Sequence, residues 1–230
     1  CYLITNTDPE ARKHKSLTMF LVPLDTPGVE IQPLWTVDGD RTNIVYYSDV
    51  RISDKYRLGE VNEGWTVVRE PLNKEHGVVD AVIDGLDDVS ILQHQGMYIA
   101  NAADAVVAET AKEDSDGNRR IDDPLVSVRL GQSLAKIEAA LVSPHMFGRV
   151  ALAQAMREVS PVLMDIVGPT SVLPIDEPGA DLSRAEYVYR WAPLTGIYGG
   201  TLEVFRNMIA QYILGLGKPV YAAPKAPAAS

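Results

Sequence analysis

The chain has 230 residues, of which 46% are hydrophobic and 23% charged, a balance that suits one large globular domain or two smaller ones with a substantial core. Its formal net charge of −10, with no long Lys/Arg run to offset it, argues against a nucleic-acid partner. A single cysteine, Cys1, excludes a disulfide or cysteine metal cluster within the chain and fits a reducing cytoplasm, and no run approaches the roughly 18 apolar residues of a membrane span.

The first sixty residues read as β structure. Cys1–Thr5, Leu17–Val22, Val29–Leu34 and Asn43–Tyr47 are short, rich in β-branched and aromatic residues, and separated by turn formers such as Thr26-Pro27-Gly28 and Asp38-Gly39-Asp40. They predict an antiparallel sheet, part of a larger one. The chain opens in mid-strand pattern without a methionine, so a fragment is expected. The polar stretch Asp8 to Lys15 reads as a solvated hairpin tip.

From Asn62 the period changes to that of a helix. Val68, Leu72, Val79, Val82 and Leu86 share one face, and Glu75 stands in the same stripe where an apolar side chain would pack. Two readings stay open. Glu75 is a helix-edge acid reaching water or a basic neighbour, or it is a desolvated carboxylate whose raised pKa suits a general base. Pro71, Gly77 and Gly85 weaken the helix, and Pro71 predicts a kink or break near Glu70.

A second helix is predicted from Gln95 to Ala111. The Asp114-Ser115-Asp116-Gly117 run after it lacks the remaining ligands of a calcium loop and reads as a solvated turn. Asp122-Asp123-Pro124 supplies cap and first-turn chemistry for a helix to about Ser143, with Val126, Leu130, Leu134, Ile137 and Leu141 on its apolar face. Pro144 is expected to kink it or divide it from a helical Met146–Met156, and Val162 to Val167 reads as a buried helix end before a loop through Pro178-Gly179. Leu182–Trp191 is helical again.

Next comes Ile197-Tyr198-Gly199-Gly200-Thr201, directly before an amphipathic helix that runs to about Leu214 and stops at Gly215-Leu216-Gly217. Glycines and a hydroxyl at a helix start suit either an anion-binding cradle of free N–H groups or a plain turn with an N-cap. Ala222–Ser230 reads as a disordered tail. The fold class is therefore α+β, with an antiparallel β part at 1–60, an antiparallel helical bundle at 61–217 and a tail at 218–230. The four histidines lack metal-ligand spacing.

Several of these stretches resemble the acyl-CoA dehydrogenase family. Leu21-Val22-Pro23 with Asp25-Thr26-Pro27-Gly28-Val29 is similar to the second half of its middle β-domain, and Asp49-Val50-Arg51-Ile52 with Leu58-Gly59 and Gly64-Trp65 to the passage into its C-terminal helical domain. The strongest likeness is Ile197–Thr201 with Arg206-Asn207, Ile209-Ala210 and Leu214–Gly217. It resembles in particular a bacterial branch that includes heteromeric enzymes acting on sterol side-chain thioesters. The resemblance implies a missing N-terminal helical domain and FAD-dependent oxidation of an acyl-CoA to a trans-2-enoyl-CoA. It also implies electron transfer to an electron-transferring flavoprotein, and a homo- or hetero-tetramer.

The resemblance carries roles for single residues. Many members place the catalytic base where this chain has Gly199; others place it at the position of Glu75, the residue that the apolar stripe already marks. The arginine usual beside that base is His76 here. Gly199 would bind the thioester oxygen through its N–H and leave room for a branched or bulky acyl group, with Tyr198 and His76 also on the substrate side. Thr201 and Glu203 match positions that contact the flavin nucleotide. Asp165 to Thr170 matches a segment that touches a neighbouring subunit's flavin, with Gly168-Pro169 in place of the usual Gly-Gly. The Arg-x-x-Phe-Gly element that grips a neighbour's FAD is replaced around Arg120–Leu125. A non-catalytic partner subunit that completes a shared flavin site is the alternative function.

Overall fold

A computed structural model describes residues 1–75, 91–143, 145–173 and 184–217. The strands come first: β1 (Tyr2–Asn6), β2 (Leu17–Leu21), β3 (Val29–Trp35), β4 (Arg41–Tyr47) and the short β5 (Arg57–Leu58). These strands pair with one another antiparallel, as the sequence predicts, but among the described residues they form two sheets rather than one. β2 is central in the order β1-β2-β5, in register Ile4↔Met19 and Met19↔Leu58.

β3 and β4 form a separate ribbon in register Val29↔Tyr47 through Trp35↔Arg41. Its side chains explain the separation: Ile31, Leu34, Trp35, Ile44 and Tyr46 are all exposed, so no packed face ties the ribbon to the first sheet. Gly28 starts the ribbon at φ +92°, and a Cβ there would lie 2.2 Å from the Ser48 carbonyl oxygen, so only glycine fits this turn.

Helices follow: α1 (Gly64–Glu75), α2 (Ile91–Thr110), α3 (Pro124–Leu141), α4 (His145–Val167), α5 (Ala185–Trp191) and α6 (Leu202–Met208). Two expectations change. The break near Glu70 does not occur, because Pro71 removes only its own N–H from the ladder and α1 runs through it to Glu75. Likewise the pieces read as Met146–Met156 and a later helix end are one 23-residue helix, α4, which continues through Pro161.

The core lies where α2, α3, α4 and α5 meet. Ile99, Val106, Ile137, Leu152, Met156, Val159, Leu163, Ile166 and Val188 are buried there, and Val126, Leu134 and Leu141 pack against them, as the periodicity of α3 predicts. Gly96 lets α2 come close to α3, since a Cβ on it would stand 2.3 Å from Leu141 Cδ2. The start of α3 follows its capping chemistry: the Asp123 carboxylate accepts from the Leu125 N–H at 2.7 Å and Pro124 occupies the first helical position.

The acidic run after α2 is a turn. Asp114 Oδ1 accepts from the Asp116 and Asn118 N–H groups, both at 2.9 Å, and these bonds hold its pKa below the usual carboxylate value. Among the described residues no cluster of three metal-ligating side chains forms, and no helix is long and apolar enough to cross a membrane.

Candidate functional site

The site is built where the segment from α5 to α6 crosses α2 and α4. After α5 a 3-10 turn, Leu194–Gly196, leads to Ile197 and Tyr198. Gly199 and Gly200 then take φ of +64° and +96°, left-handed values that side chains disfavour, and the chain turns into α6. Thr201 is the N-cap, its hydroxyl accepting from the Val204 N–H at 3.3 Å. Glu203, in the first turn, is exposed and pairs loosely with Arg206 at 3.5 Å.

Two arginines of α4 hold this crossing by its carbonyls. Arg157 Nη2 donates to the Pro193 carbonyl at 2.9 Å, and Arg149 Nη2 donates to the Tyr198 carbonyl at 2.7 Å and more weakly to that of Gly200 at 3.5 Å. Gly196 is required for this grip, because a Cβ on it would fall 2.1 Å from Arg157 Nη2. Arg149 is only 5% exposed and lies over the Phe205 ring, 5.5 Å from its centroid. Burial pushes its pKa down, the Tyr198 phenol opposes that shift and Arg157 adds to it; a guanidinium nevertheless stays charged at physiological pH.

The Tyr198 ring is fixed from the other side. Its hydroxyl accepts from Gln95 Nε2 at 2.8 Å, and Gln95, on α2, is fully buried. The ring stacks near Trp191 at 6.3 Å, and Trp191 meets Tyr98 edge-on at 4.9 Å. Burial raises the Tyr198 pKa, partly offset by Gln95 and Arg149, so the side chain is a neutral phenol.

The tip of the β3–β4 ribbon closes against the same cluster. Asp38 is buried and bonded to Thr36, and the Val37 carbonyl accepts from Arg190 Nη1 at 3.1 Å. Among the described residues three buried polar atoms here have no hydrogen-bond partner: Asp38 Oδ2, Gln95 Oε1 and Arg149 Nη1. The Gly199 N–H, among the described residues, donates to no backbone carbonyl.

The residues expected to share a site divide into three groups. Tyr198, Gly199, Thr201 and Glu203 are contiguous at the head of α6. Asp165 and Gly168 sit at the far end of α4, 16 or more residues beyond Arg149, which is about 24 Å along a helix rising 1.5 Å per residue. There Asp165 is exposed and pairs with Arg129 at 2.9 Å, while Gly168, at φ +91°, ends the helix before the Pro169–Val172 turn. Arg120 donates to the carbonyls of Ile166 and Val167 at the same end. Glu75 is the last residue of α1, which packs on β2; its side chain, and His76 with all residues to 90, lie outside the described residues.

The comparisons with known proteins fit this architecture. No protein-family model matches the chain. The acyl-CoA dehydrogenase IpdE1 of Mycolicibacterium smegmatis is 30% identical over 237 residues, covering 96% of this chain and 54% of that protein. A solved ChsE4-ChsE5 complex from Mycobacterium tuberculosis superposes with a TM-score of 0.78 at 28% identity, over 95% of this chain and 57% of the matched one. Over nearly its whole length the chain is similar to acyl-CoA dehydrogenases. A further solved complex, the steroid acyl-CoA dehydrogenase Tcur3481-Tcur3483, gives a TM-score of 0.77 at 26% identity, over 94% of this chain and 56% of its own. The chain thus spans about half the length of the curated relatives it matches.

Acyl-CoA dehydrogenases as a family imply FAD. The head of α6 offers acceptors and hydroxyls in Thr201 and Glu203, and side-chain-free backbone at Gly199 and Gly200 that a flat group can approach closely. Glu203 would repel a phosphate but could accept from the hydroxyls of a nucleotide. These residues fit the group.

Gln95 and Arg149 were not among the residues singled out in the sequence. Each carries the signal that marked Glu75, a polar residue inside an apolar helical stripe: Gln95 with Ile99, Ala102 and Val106, and Arg149 with Leu152, Met156 and Leu163.

Proposed function

We propose that the protein containing this chain is an FAD-dependent acyl-CoA dehydrogenase that oxidises an acyl-CoA thioester to its trans-2-enoyl-CoA. Glu75 takes the α-proton and the Gly199 N–H donates to the thioester oxygen. The observation that carries this reading is the Tyr198–Thr201 turn, which presents a backbone donor where many relatives carry a carboxylate, while a carboxylate stands at the end of α1. An α-proton is weakly acidic, so its removal needs a desolvated base and a donor on the oxygen where enolate charge develops. FAD, when bound, supplies the acceptor for the β-hydrogen.

Thr201 and Glu203 hold nucleotide hydroxyls in this reading. Asp165 and Gly168 lie too far along α4 to join them, which supports their serving the flavin of a neighbouring subunit in a homo- or hetero-tetramer. The absent side chain at Gly199 favours a branched or bulky acyl group, and the likeness to a steroid acyl-CoA dehydrogenase points the same way. Electrons pass on to an electron-transferring flavoprotein in the cytoplasm. Residues 1–60 would form the later part of a middle β-domain and 61–217 the helical domain; the tail expected at 218–230 lies outside the described residues.

The test is Glu75→Gln in the FAD-loaded protein, followed by deuterium uptake at Cα of a bound acyl-CoA. Exchange should cease while flavin content stays unchanged; undiminished exchange would remove Glu75 from the role. A second reading, a non-catalytic partner subunit, is favoured by Gly199 and by the two-component complexes among the structural neighbours. Purification with and without co-expressed neighbouring subunits separates the two, since a purely structural subunit yields no flavin reduction by acyl-CoA on its own glutamate.

A further inference from the structure

We infer that Arg149 is a positioning residue that tunes the donor strength of the Gly199 N–H, the group assigned above to the thioester oxygen; the inference rests on that assignment. The Tyr198 carbonyl and the Gly199 N–H are the two ends of one peptide group. Arg149 Nη2 donates to that carbonyl at 2.7 Å, so a full positive charge pulls electron density from the peptide and leaves its N–H a better donor at the opposite end.

Burial strengthens the effect. The guanidinium is 5% exposed, has Phe205 against one face and keeps Nη1 without a partner among the described residues, so little water screens it. The same side chain reaches the Gly200 carbonyl at 3.5 Å, which bridges the two left-handed residues and fixes the direction in which the intervening N–H points. A charge that is permanent, dry and bonded through one peptide unit contributes most when negative charge forms on the bound oxygen. Arg149 therefore acts on proton abstraction more than on ground-state binding.

Two ligands separate this role from simple support of the fold: a saturated acyl-CoA thioester, and the matching thioether, which has methylene in place of the carbonyl and offers the N–H nothing to bind. In the intact FAD-loaded protein, Arg149→Met should weaken thioester binding by about threefold to tenfold in calorimetry and slow Cα deuterium exchange by about 10- to 100-fold, leaving thioether affinity unchanged. Arg149→Lys, which keeps a charge at the same place, should recover most of the exchange rate. Equal loss for both ligands, or a folded Lys variant as impaired as Met, overturns the inference. If the unmodified protein binds thioester and thioether alike, the role of the Gly199 N–H falls, and this inference with it; the Glu75 exchange test stands apart from both.

Discussion

The two ends of α4 make a useful contrast. Near its start Arg149 is buried, bonded to backbone carbonyls and packed on an aromatic ring. Near its end Asp165 is exposed and held by a single ion pair with Arg129. The first has its partners within this chain, whereas the second, in a segment that resembles a flavin-contacting one, faces outward. A buried charge must be satisfied internally or it is strongly destabilising, whereas an exposed one can await a partner at little cost. One helix thus serves one site with its first turns and offers different chemistry with its last.

Three substitutions sharpen or break that contrast, beyond the tests already described. The largest effect is expected for Leu152→Ala, one turn from Arg149 and fully buried; the lost packing should destabilise the folded chain by about 2–5 kcal/mol, read as a lower urea midpoint. Thr201→Ala removes the N-cap of α6 and should cost about 1 kcal/mol, with Thr201→Ser restoring it. Asp165→Ala should change stability by less than about 1 kcal/mol, because its pair with Arg129 is exposed. A large loss there would show that the outward end is part of the fold's own support, and the contrast would fail.

Much of this architecture could be read from residue patterns. The capping of α3 at Asp123-Pro124, its apolar face and the Gly-Gly-Thr entry to α6 follow from local chemistry, and the structure has them. The positions of strands β2 and β3 follow from β-branched and aromatic clusters. Local rules failed where the outcome depends on the rest of the molecule. Pro71 looks like a break in isolation, and the stretch between Met156 and Val162 like a gap between helices, but neighbouring turns continue both α1 and α4. The β3–β4 ribbon reads like any antiparallel pair, and only its exposed faces reveal that it stands apart from the first sheet.

The site was half legible. The turn from Tyr198 to Thr201 announces itself because glycines and a hydroxyl have few other reasons to stand together before a helix. Arg149 and Gln95 do not, since their roles are long-range: they meet Tyr198 from 49 and 103 residues away. Applying the rule that picked out Glu75 to every apolar stripe would have found both.

The burial of Trp191 has an optical consequence. The chain has three tryptophans; Trp35 and Trp65 are exposed at 69% and 37%, whereas Trp191 is 7% exposed, beside Tyr98 and Tyr198 and directly after the arginine that holds the ribbon tip. Its emission should lie to the blue of the other two and respond first when a ligand enters the turn or the tip lifts from α5. The protein therefore carries an internal fluorescent reporter at its candidate site, readable without label or turnover.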